Sequence, residues 1–368
     1  MNMFREEICR FVFKRQGKTK YCVIDNGYKT WIIPYNKMKN AVEMFSEYSF
    51  NGRVMKHIFP YTKWSRLIRK KAGCKIEELT IGDELKAIIE KYVEEKYECA
   101  IYFGNLDTVQ NYKAVVQVFN ECRTLLYIKL SMEDIVKESF RREKNALELL
   151  NKEGVRLIPC IEGIEQVGKW KAMVQKPQNV QCTKTKGFNG KHWNFLENMC
   201  KKNMVKCQYK NTDLYPYLNS LHNYIEGRNT SWKGIIVKAL ERAEGYLNGI
   251  EEFSFGHGDF SPWNIKETVD GIYVYDFEYC LKTTVPYMDY FHFLCQYEII
   301  KKNPKPPRVI KILERDRQEL EKHIKNIDDT FIVYLLFIIS FYIRRNNGKI
   351  NEKNSNFLFR IALLEEML

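Results

Sequence analysis

Two patterns of apolar and polar residues divide the chain. Between about residues 99 and 176, short apolar runs rich in β-branched and aromatic residues alternate with polar turns, and one amphipathic stretch lies among them. The runs predict strands, and the amphipathic stretch predicts a helix that ends near Gly154. The predicted strands cover residues 99–103, 114–120, 124–130, 156–166 and 169–175, and the helix covers residues 131–154.

After residue 177 helical patterns dominate, interrupted by a strand–loop–strand segment at residues 253–277. The most apolar stretch, residues 331–342, is bounded by charged residues and is shorter than the ~18 apolar residues that a membrane span needs. It therefore predicts a buried core helix. The predicted helices cover residues 213–225, 232–247, 287–301, 307–327, 330–346 and 353–368.

The first 97 residues have a different pattern. Two strand-like runs at residues 21–24 and 30–33 flank Asn26-Gly27, which is a strong hairpin signal. A helix is predicted at residues 36–48, followed by a basic, aromatic stretch at residues 53–75. We therefore expect three parts: an N-terminal α/β extension of unknown role (1–97), an antiparallel-sheet lobe (98–177) and a mainly helical lobe (178–368).

The overall charge is strongly basic, with 59 Lys and Arg against 46 Asp and Glu, a net +13. This balance favours anionic partners such as nucleotides or phosphorylated sugars, although a basic solvated surface explains it equally well. No nucleic-acid-binding motif accompanies it, so we do not expect a nucleic-acid partner. The eleven cysteines have no paired spacing, and the N-terminus has no signal-peptide pattern. Reduced cysteines and a cytoplasmic location are expected.

The candidate chemistry lies between residues 257 and 278. Asn264 stands five residues after Asp259, and a short strand leads to Asp276. Phosphoryl transfer needs a carboxylate that orients a hydroxyl and accepts its proton, together with metal ions that neutralise phosphate charge. Asp259 is the predicted catalytic base, and the oxygens of Asn264 and Asp276 are the predicted ligands of Mg²⁺.

The segment HGDFSPWN resembles the H-G-D-x-x-x-x-N signature of the aminoglycoside phosphotransferase/choline kinase family, and YDFEY resembles that family's metal-binding motif. The resemblance covers residues 99–368, and its specific motifs lie at 257–278. It implies an α+β, protein-kinase-like two-lobe fold that uses ATP and Mg²⁺. Protein kinases have H-R-D-L and D-F-G instead. Gly258 replaces that arginine, so control by activation-loop phosphorylation is not expected.

The resemblance also implies nucleotide-binding residues in the sheet lobe. Lys129, inside the apolar third strand, needs buried partners such as ATP phosphates and a helix glutamate; the alternative is a lysine on the exposed face of an edge strand. Glu143 is the expected partner, with Glu138 and Glu148 as competitors. The loop containing Gly104 is expected to cover the phosphates, although it lacks a G-x-G-x-x-G motif. Gln175 and Lys176 are expected at the adenine hinge, with contacts from the backbone.

The expected function is therefore transfer of the ATP γ-phosphate to a hydroxyl of a small molecule such as a sugar, amino sugar or amino alcohol. The chain resembles phosphotransferases associated with cell-surface polysaccharide synthesis in three features: the residues of its motifs, the segment PYMDYFHFL and the N-terminal extension. The alternative is a catalytically inactive kinase fold that acts as a nucleotide-binding or scaffold protein. Residues 53–75 could contact a membrane surface or a partner enzyme, or pack on the protein itself. The oligomeric state stays open.

Overall fold

The computed structural model describes residues 3–45, 48, 50–61, 73–104, 106, 109–178, 180–301, 303–350 and 353–368. Residues 62–72 of the basic stretch at 53–75 lie outside these residues, so the prediction of a contact surface there stays a prediction. The chain forms two compact units. The first comprises Met1–Glu148 and Ile158–Gln181, and the second comprises Leu149–Leu157 and Cys182–Leu368.

The first unit is built on one eight-stranded sheet in the order β3-β1-β2-β4-β5-β6-β8-β7. Its strands are β1 (Phe13–Asp25), β2 (Thr30–Pro34), β3 (Cys74–Ile81), β4 (Glu98–Phe103), β5 (Ala114–Phe119), β6 (Thr124–Ser131), β7 (Cys160–Val167) and β8 (Trp170–Lys176). Its described helices are α1 (Met3–Val12), α2 (Met38–Ala41), α3 (Phe50–His57), α4 (Asp83–Glu90) and α5 (Asp134–Lys152). All neighbouring strands are antiparallel, so the predicted meander β4–β5–β6 and the following helix and hairpin are confirmed.

The N-terminal residues continue this sheet and its core. Strand β2 pairs with β4, so the β4 edge that a kinase-like lobe alone would expose is covered. Helices α1 and α4 pack on one face, where Ile8 and Leu85 share a core with Val116 and Ile128. On the other face, Trp31 lies in a smaller core formed largely by residues from the N-terminal part of the chain. The predicted boundary at residue 97 thus falls inside the first compact unit.

Two local expectations in this unit turn out differently. The single helix predicted at residues 36–48 is instead a short series of 3₁₀ and α-helical turns, Tyr35–Lys37, α2 and Val42–Met44. The backbone carbonyl of Asn40 accepts a hydrogen bond from Gln117 Nε2 at 3.1 Å, which ties this segment to the sheet. Cys22 and Cys74 are joined by a disulfide, because neighbouring strands β1 and β3 bring their Cα atoms to 5.8 Å. The expectation that all cysteines are reduced is therefore wrong for this pair.

The second unit is mainly helical. Its helices are α6 (Gly190–Lys202), α7 (Tyr215–Glu226), α8 (Lys233–Asn248), α9 (Met288–Ile299), α10 (Pro306–Leu320), α11 (Ile327–Arg345) and α12 (Ser355–Glu366). The unit also contains two small sheets. One consists of β10 (Val205–Lys206), β11 (Glu252–Gly256) and β14 (Leu281–Thr284), and the other consists of β9 (Thr183–Lys184), β12 (Ile265–Glu267) and β13 (Ile272–Val274). Helix α11 is the predicted apolar core helix, and most of its residues are buried. Among the described residues, no helix meets the length and hydropathy that a membrane span requires.

We propose that residues 1–97 complete the first unit and do not form a separable domain. Deleting residues 1–96 removes the strand that pairs with β4 and the helices that cover its apolar face. We expect the truncated chain to aggregate, because open strand edges and large apolar patches promote association. Size-exclusion chromatography measures this, and a soluble, cooperatively folding truncated chain would contradict the proposal.

A matched pair of substitutions in α1 provides the control. Ile8 is 0% exposed and Met3 is 72% exposed. Ile8→Asp should lower the free energy of unfolding by about 3 kcal/mol or more, since it buries a charge in the core. Met3→Asp should change it by less than about 0.5 kcal/mol. If Ile8→Asp lowers the melting temperature no more than Met3→Asp does, α1 is not part of the folded core.

Candidate active site

A buried ion pair lies in the first unit. Lys129 Nζ on β6 is 2.8 and 2.7 Å from the two carboxylate oxygens of Glu143 on α5. Glu143 is 0% exposed and Lys129 is 7% exposed. Gln175 on β8 donates its side-chain amide to Glu143 Oε1 at 2.9 Å. Breaking such a buried pair from one side typically costs about 3–5 kcal/mol, so loss of either residue is expected to destabilise this unit.

The register of the strands explains this arrangement. Lys129 lies opposite Met173 of β8, and Tyr127, two residues earlier on the same face, lies opposite Gln175. Met173 packs with Val136 and Phe140 of helix α5, which anchors the helix to this face of the sheet. The helix therefore brings its glutamate to the lysine, and the alternative of a lysine on an exposed edge does not hold.

The other residues predicted in this unit are placed as follows. The competing glutamates Glu138 and Glu148 are exposed on α5, and Glu148 faces Lys144 at 3.5 Å. Gly104 directly follows β4, and part of its loop lies outside the described residues. Lys176 is the exposed last residue of β8. The side chain of Gln175 points to Glu143, so this residue contributes a side-chain contact that the sequence did not suggest.

In the second unit, Asp259 lies on a loop between β11 and the 3₁₀ turn Pro262–Asn264. Three side chains contact its carboxylate. His292 Nε2 lies 2.9 Å from Oδ1, Ser261 Oγ donates to the same oxygen, and Asn264 Nδ2 donates to Oδ2 at 2.9 Å. Asn264 Nδ2 also contacts the Asp259 backbone carbonyl at 3.0 Å. The carboxylate is therefore held in one orientation by groups from its own loop and from helix α9.

The backbone before Asp259 is fixed by a second carboxylate. Asp289 at the start of α9 is 5% exposed and accepts hydrogen bonds from the backbone N–H groups of His257 at 2.7 Å and Gly258 at 3.1 Å. His257 in turn accepts from the Asp259 N–H through Nδ1 at 3.2 Å, and its Nε2 lies 3.2 Å from the Tyr275 carbonyl. These two bonds require a neutral imidazole, and burial lowers the pKa of His257 accordingly.

Gly258 has a backbone conformation that other residues rarely adopt, with φ at 77°. A Cβ atom at this position would lie 2.0 Å from the backbone carbonyl oxygen of Tyr279. Neither the conformation nor the space allows a larger side chain. The structure therefore gives a physical reason why this loop has glycine where protein kinases have arginine.

Asn264 and Asp276 are brought together by a hairpin. Strands β12 and β13 pair so that Ile265 lies opposite Val274, and the Tyr275 N–H donates to the Asn264 carbonyl at 3.1 Å. Asp276 follows with φ at 70°, a strained conformation that aspartate tolerates better than most residues. After it, the buried ring of Phe277 packs on His257 with centroids 4.3 Å apart. The turn thus presents Asp276 beside the loop that carries Asp259.

The residues at this turn fit a Mg²⁺ ion. The amide nitrogen of Asn264 is used by Asp259, so the group that Asn264 offers to a metal is its amide oxygen. Asp276 adds a carboxylate, and both are hard oxygen ligands. Among the described residues, no group of three or more His, Cys, Asp or Glu side chains could hold a metal. Mg²⁺ does not need one, because it is commonly bound by one or two carboxylates together with substrate phosphates.

Asp289 and His292 are functional candidates that the sequence reasoning missed. Both lie in the apolar segment PYMDYFHFL, which was noted only for its resemblance. They are three residues apart and therefore lie on neighbouring positions of one helix face. A carboxylate and an imidazole inside an apolar helix are costly without partners, and this was the available signal.

The comparisons with known proteins support the fold. No protein-family model and no curated protein matches the sequence. A thermostable mutant of aminoglycoside phosphotransferase APH(4)-Ia matches the structure with a TM-score of 0.51 at 9% identity, over 77% of this chain and 97% of that chain. Choline kinase LicA from Streptococcus pneumoniae has a TM-score of 0.51 at 13% identity, over 77% and 97%.

A choline/ethanolamine kinase family protein from Mesorhizobium loti has a TM-score of 0.50 at 12% identity, over 77% of this chain and 94% of that chain. The chain therefore has the fold of the aminoglycoside phosphotransferases and choline kinases. This confirms the α+β, kinase-like fold that the motifs at residues 257–278 predicted.

The constraint on Gly258 can be tested by substitution. Gly258→Ala should lower the free energy of unfolding by about 1–3 kcal/mol or more, because it adds backbone strain and a clash with Tyr279. Gly245 lies in helix α8, and a Cβ there meets no atom within 4 Å. Gly245→Ala should raise the free energy of unfolding by up to about 1 kcal/mol. Differential scanning fluorimetry compares the two variants, and an unchanged melting temperature for Gly258→Ala would contradict this reading of the loop.

Proposed function

We propose that the protein is an ATP-dependent small-molecule kinase, with Asp259 as the catalytic base. The observation that carries this proposal is the carboxylate of Asp259, held by Ser261, Asn264 and His292 on a loop with the H-G-D-x-x-x-x-N spacing. These contacts hold a partly exposed carboxylate in one orientation, which a group that positions a hydroxyl requires. The kinase-like fold agrees with this proposal.

The proposed reaction is a single phosphoryl transfer. The hydroxyl oxygen of the acceptor forms a bond to the γ-phosphorus of ATP, and the bond between that phosphorus and the β–γ bridging oxygen breaks. The hydroxyl proton goes to Asp259, and ADP leaves with the electrons of the broken bond. Asp259 does not need to be a strong base, because much of the catalysis consists of holding the hydroxyl in line.

The remaining residues have supporting roles in this proposal. Asn264 and Asp276 would hold Mg²⁺, which when bound neutralises charge on the phosphates. Lys129 would bind phosphate oxygens, and Glu143 would hold the lysine in position. Gln175 would restrict the glutamate through the 2.9 Å hydrogen bond to Oε1. Gln175 and Lys176 stay predicted adenine contacts through their backbone, and the loop of Gly104 stays the predicted cover of the phosphates.

The proposed acceptor is a sugar, amino sugar or amino alcohol with a free hydroxyl. Structures with this fold include an aminoglycoside phosphotransferase and choline kinases, whose names give the acceptors of those proteins. A polycationic acceptor fits a chain of net charge +13 less well than a neutral or anionic one does. A role in cell-surface polysaccharide synthesis rests on the motif resemblance and stays a proposal.

Asp259→Asn should lower turnover by ~10²-fold or more while ATP binding is kept, because it removes the proton acceptor but keeps the shape of the side chain. The measurement is ADP release from Mg·ATP with a panel of sugar and amino-alcohol acceptors. Asp270→Asn, at an exposed position in the β12–β13 turn, is the matched control. Binding of ATP without ADP release in the wild-type protein would instead favour an inactive, nucleotide-binding fold.

Asp276→Asn should raise the Mg²⁺ concentration needed for half-maximal ATP binding by about 10-fold or more. Mutation of a residue that only hydrogen-bonds to a metal ligand already lowers metal affinity by about 10-fold or more, so loss of a ligand carboxylate should cost at least as much. Asparagine is chosen because it tolerates the positive φ of this position better than alanine does. Calorimetric titrations of ATP at a series of Mg²⁺ concentrations measure the effect, with Asp270→Asn as control. An unchanged Mg²⁺ requirement would rule out Asp276 as a metal ligand.

A further inference from the structure

In the function proposed above, His292 is only one of three side chains that contact the carboxylate of Asp259. It lies on helix α9 and is 4% exposed. Its Nε2 atom lies 2.9 Å from Asp259 Oδ1 and 3.1 Å from Ser261 Oγ. Because its ring is buried and contacts the carboxylate, we expect this histidine to act on the reaction through Asp259.

The environment of the ring selects one tautomer. Nδ1 is buried and has no hydrogen-bond partner among the described residues. A proton on Nδ1 would be a buried donor without an acceptor, which costs about 1–3 kcal/mol. It would also turn the Nε2 lone pair toward a carboxylate oxygen in the neutral ring. The proton therefore belongs on Nε2, which donates it to Asp259 Oδ1.

Two neutral groups lie beside the ring. Gln296 Nε2 lies 3.4 Å from His292 Nε2, one helical turn away on α9, and because both nitrogens are donors in this tautomer the contact is not a hydrogen bond. The ring of Tyr334 on α11 packs edge-on, with centroids 5.8 Å apart. Both are neutral groups, and Asp259 is the charged group in hydrogen-bond contact with the ring.

The donors divide unequally between the two oxygens of Asp259. Oδ1 accepts hydrogen bonds from Ser261 Oγ and His292 Nε2, which together use both of its lone pairs. Among the residues that the structure describes, Asn264 Nδ2 is the single donor to Oδ2. One lone pair of the carboxylate is therefore left, and it is on Oδ2.

We propose that His292 is a positioning residue that occupies Oδ1 of Asp259 and thereby leaves Oδ2 as the atom that accepts the hydroxyl proton. This inference rests on the proposed role of Asp259 as base. Loss of the His292 donor frees a lone pair on Oδ1 and lets the carboxylate rotate about its terminal bond. A fraction of acceptor hydroxyls then bonds to the wrong oxygen, away from the in-line geometry that transfer requires.

The tautomer can be tested without any acceptor. In ¹⁵N-histidine-labelled full-length protein, the side-chain resonances of His292 are assigned by their loss in His292→Gln. The chemical shifts and one-bond couplings should show a proton on Nε2 of His292. A proton found on Nδ1 alone would overturn the proposal, whatever the activity of the protein.

The positioning role is tested by two substitutions. His292→Leu fills the volume but removes the donor, and His292→Gln can supply an amide N–H near the position of Nε2. We expect kcat for ADP release from Mg·ATP to fall ~10–100-fold in His292→Leu, with the ATP KM within about 3-fold, and to recover largely in His292→Gln. The exposed His222→Leu on α7 is the matched control. Equal kcat in the leucine and glutamine variants would overturn the role.

The double variant separates this inference from the proposed function. If His292 acts through Asp259, adding His292→Leu to Asp259→Asn should lower kcat by less than about 2-fold further. A full additional loss would mean that His292 acts independently, and the inference would fail. If Asp259→Asn alone turns over normally, the proposed function fails first, and the NMR result on the tautomer still decides whether the contact itself exists.

Discussion

The carboxylate of Asp289 accepts hydrogen bonds from two consecutive backbone N–H groups, those of His257 and Gly258. A buried carboxylate must be satisfied, and here the available donors are backbone groups of the loop that carries Asp259. The loop can present both of them only because Gly258 adopts positive φ and passes close to the Tyr279 carbonyl. The direction of Asp259 follows from this bend, so one helix terminus sets the geometry of the candidate base.

A similar requirement explains the position of the N-terminal residues: the backbone groups of the sheet must be hydrogen-bonded and its apolar face must be covered. An isolated kinase-like sheet would leave the backbone of β4 and one apolar face open to solvent. Strand β2 pairs with β4, and α1 places Phe4 and Phe11 against Trp170 of β8. Residues far apart in sequence thus share one core. Their contribution is therefore structural in this unit, whatever further contacts the basic stretch makes.

The sequence predicted the elements that have strong local patterns. The meander, the Asn26-Gly27 hairpin, most helices of the second unit and the motif loop all lie where periodicity and turn residues placed them. Helix α6 was not predicted, although Trp193, Leu196 and Cys200 are buried and have helical spacing, because polar and basic residues surround them in the sequence; its capping by Asn189 and His192 is seen only in the structure. The broken segment at 35–44 and the Cys22–Cys74 pairing depend on strands distant in sequence, which local patterns do not reveal.

The candidate site shows the same limit at the level of single side chains. The motif identified Asp259, Asn264 and Asp276, but not the groups that orient them. Gln175 was expected to contribute its backbone, yet strand register turns its side chain to Glu143. The partner of His292 becomes visible only when α9 is packed beside the loop. The sequence motif therefore identifies the residues proposed to meet substrate, whereas the residues that fix their geometry are determined by tertiary packing and are seen only in the structure.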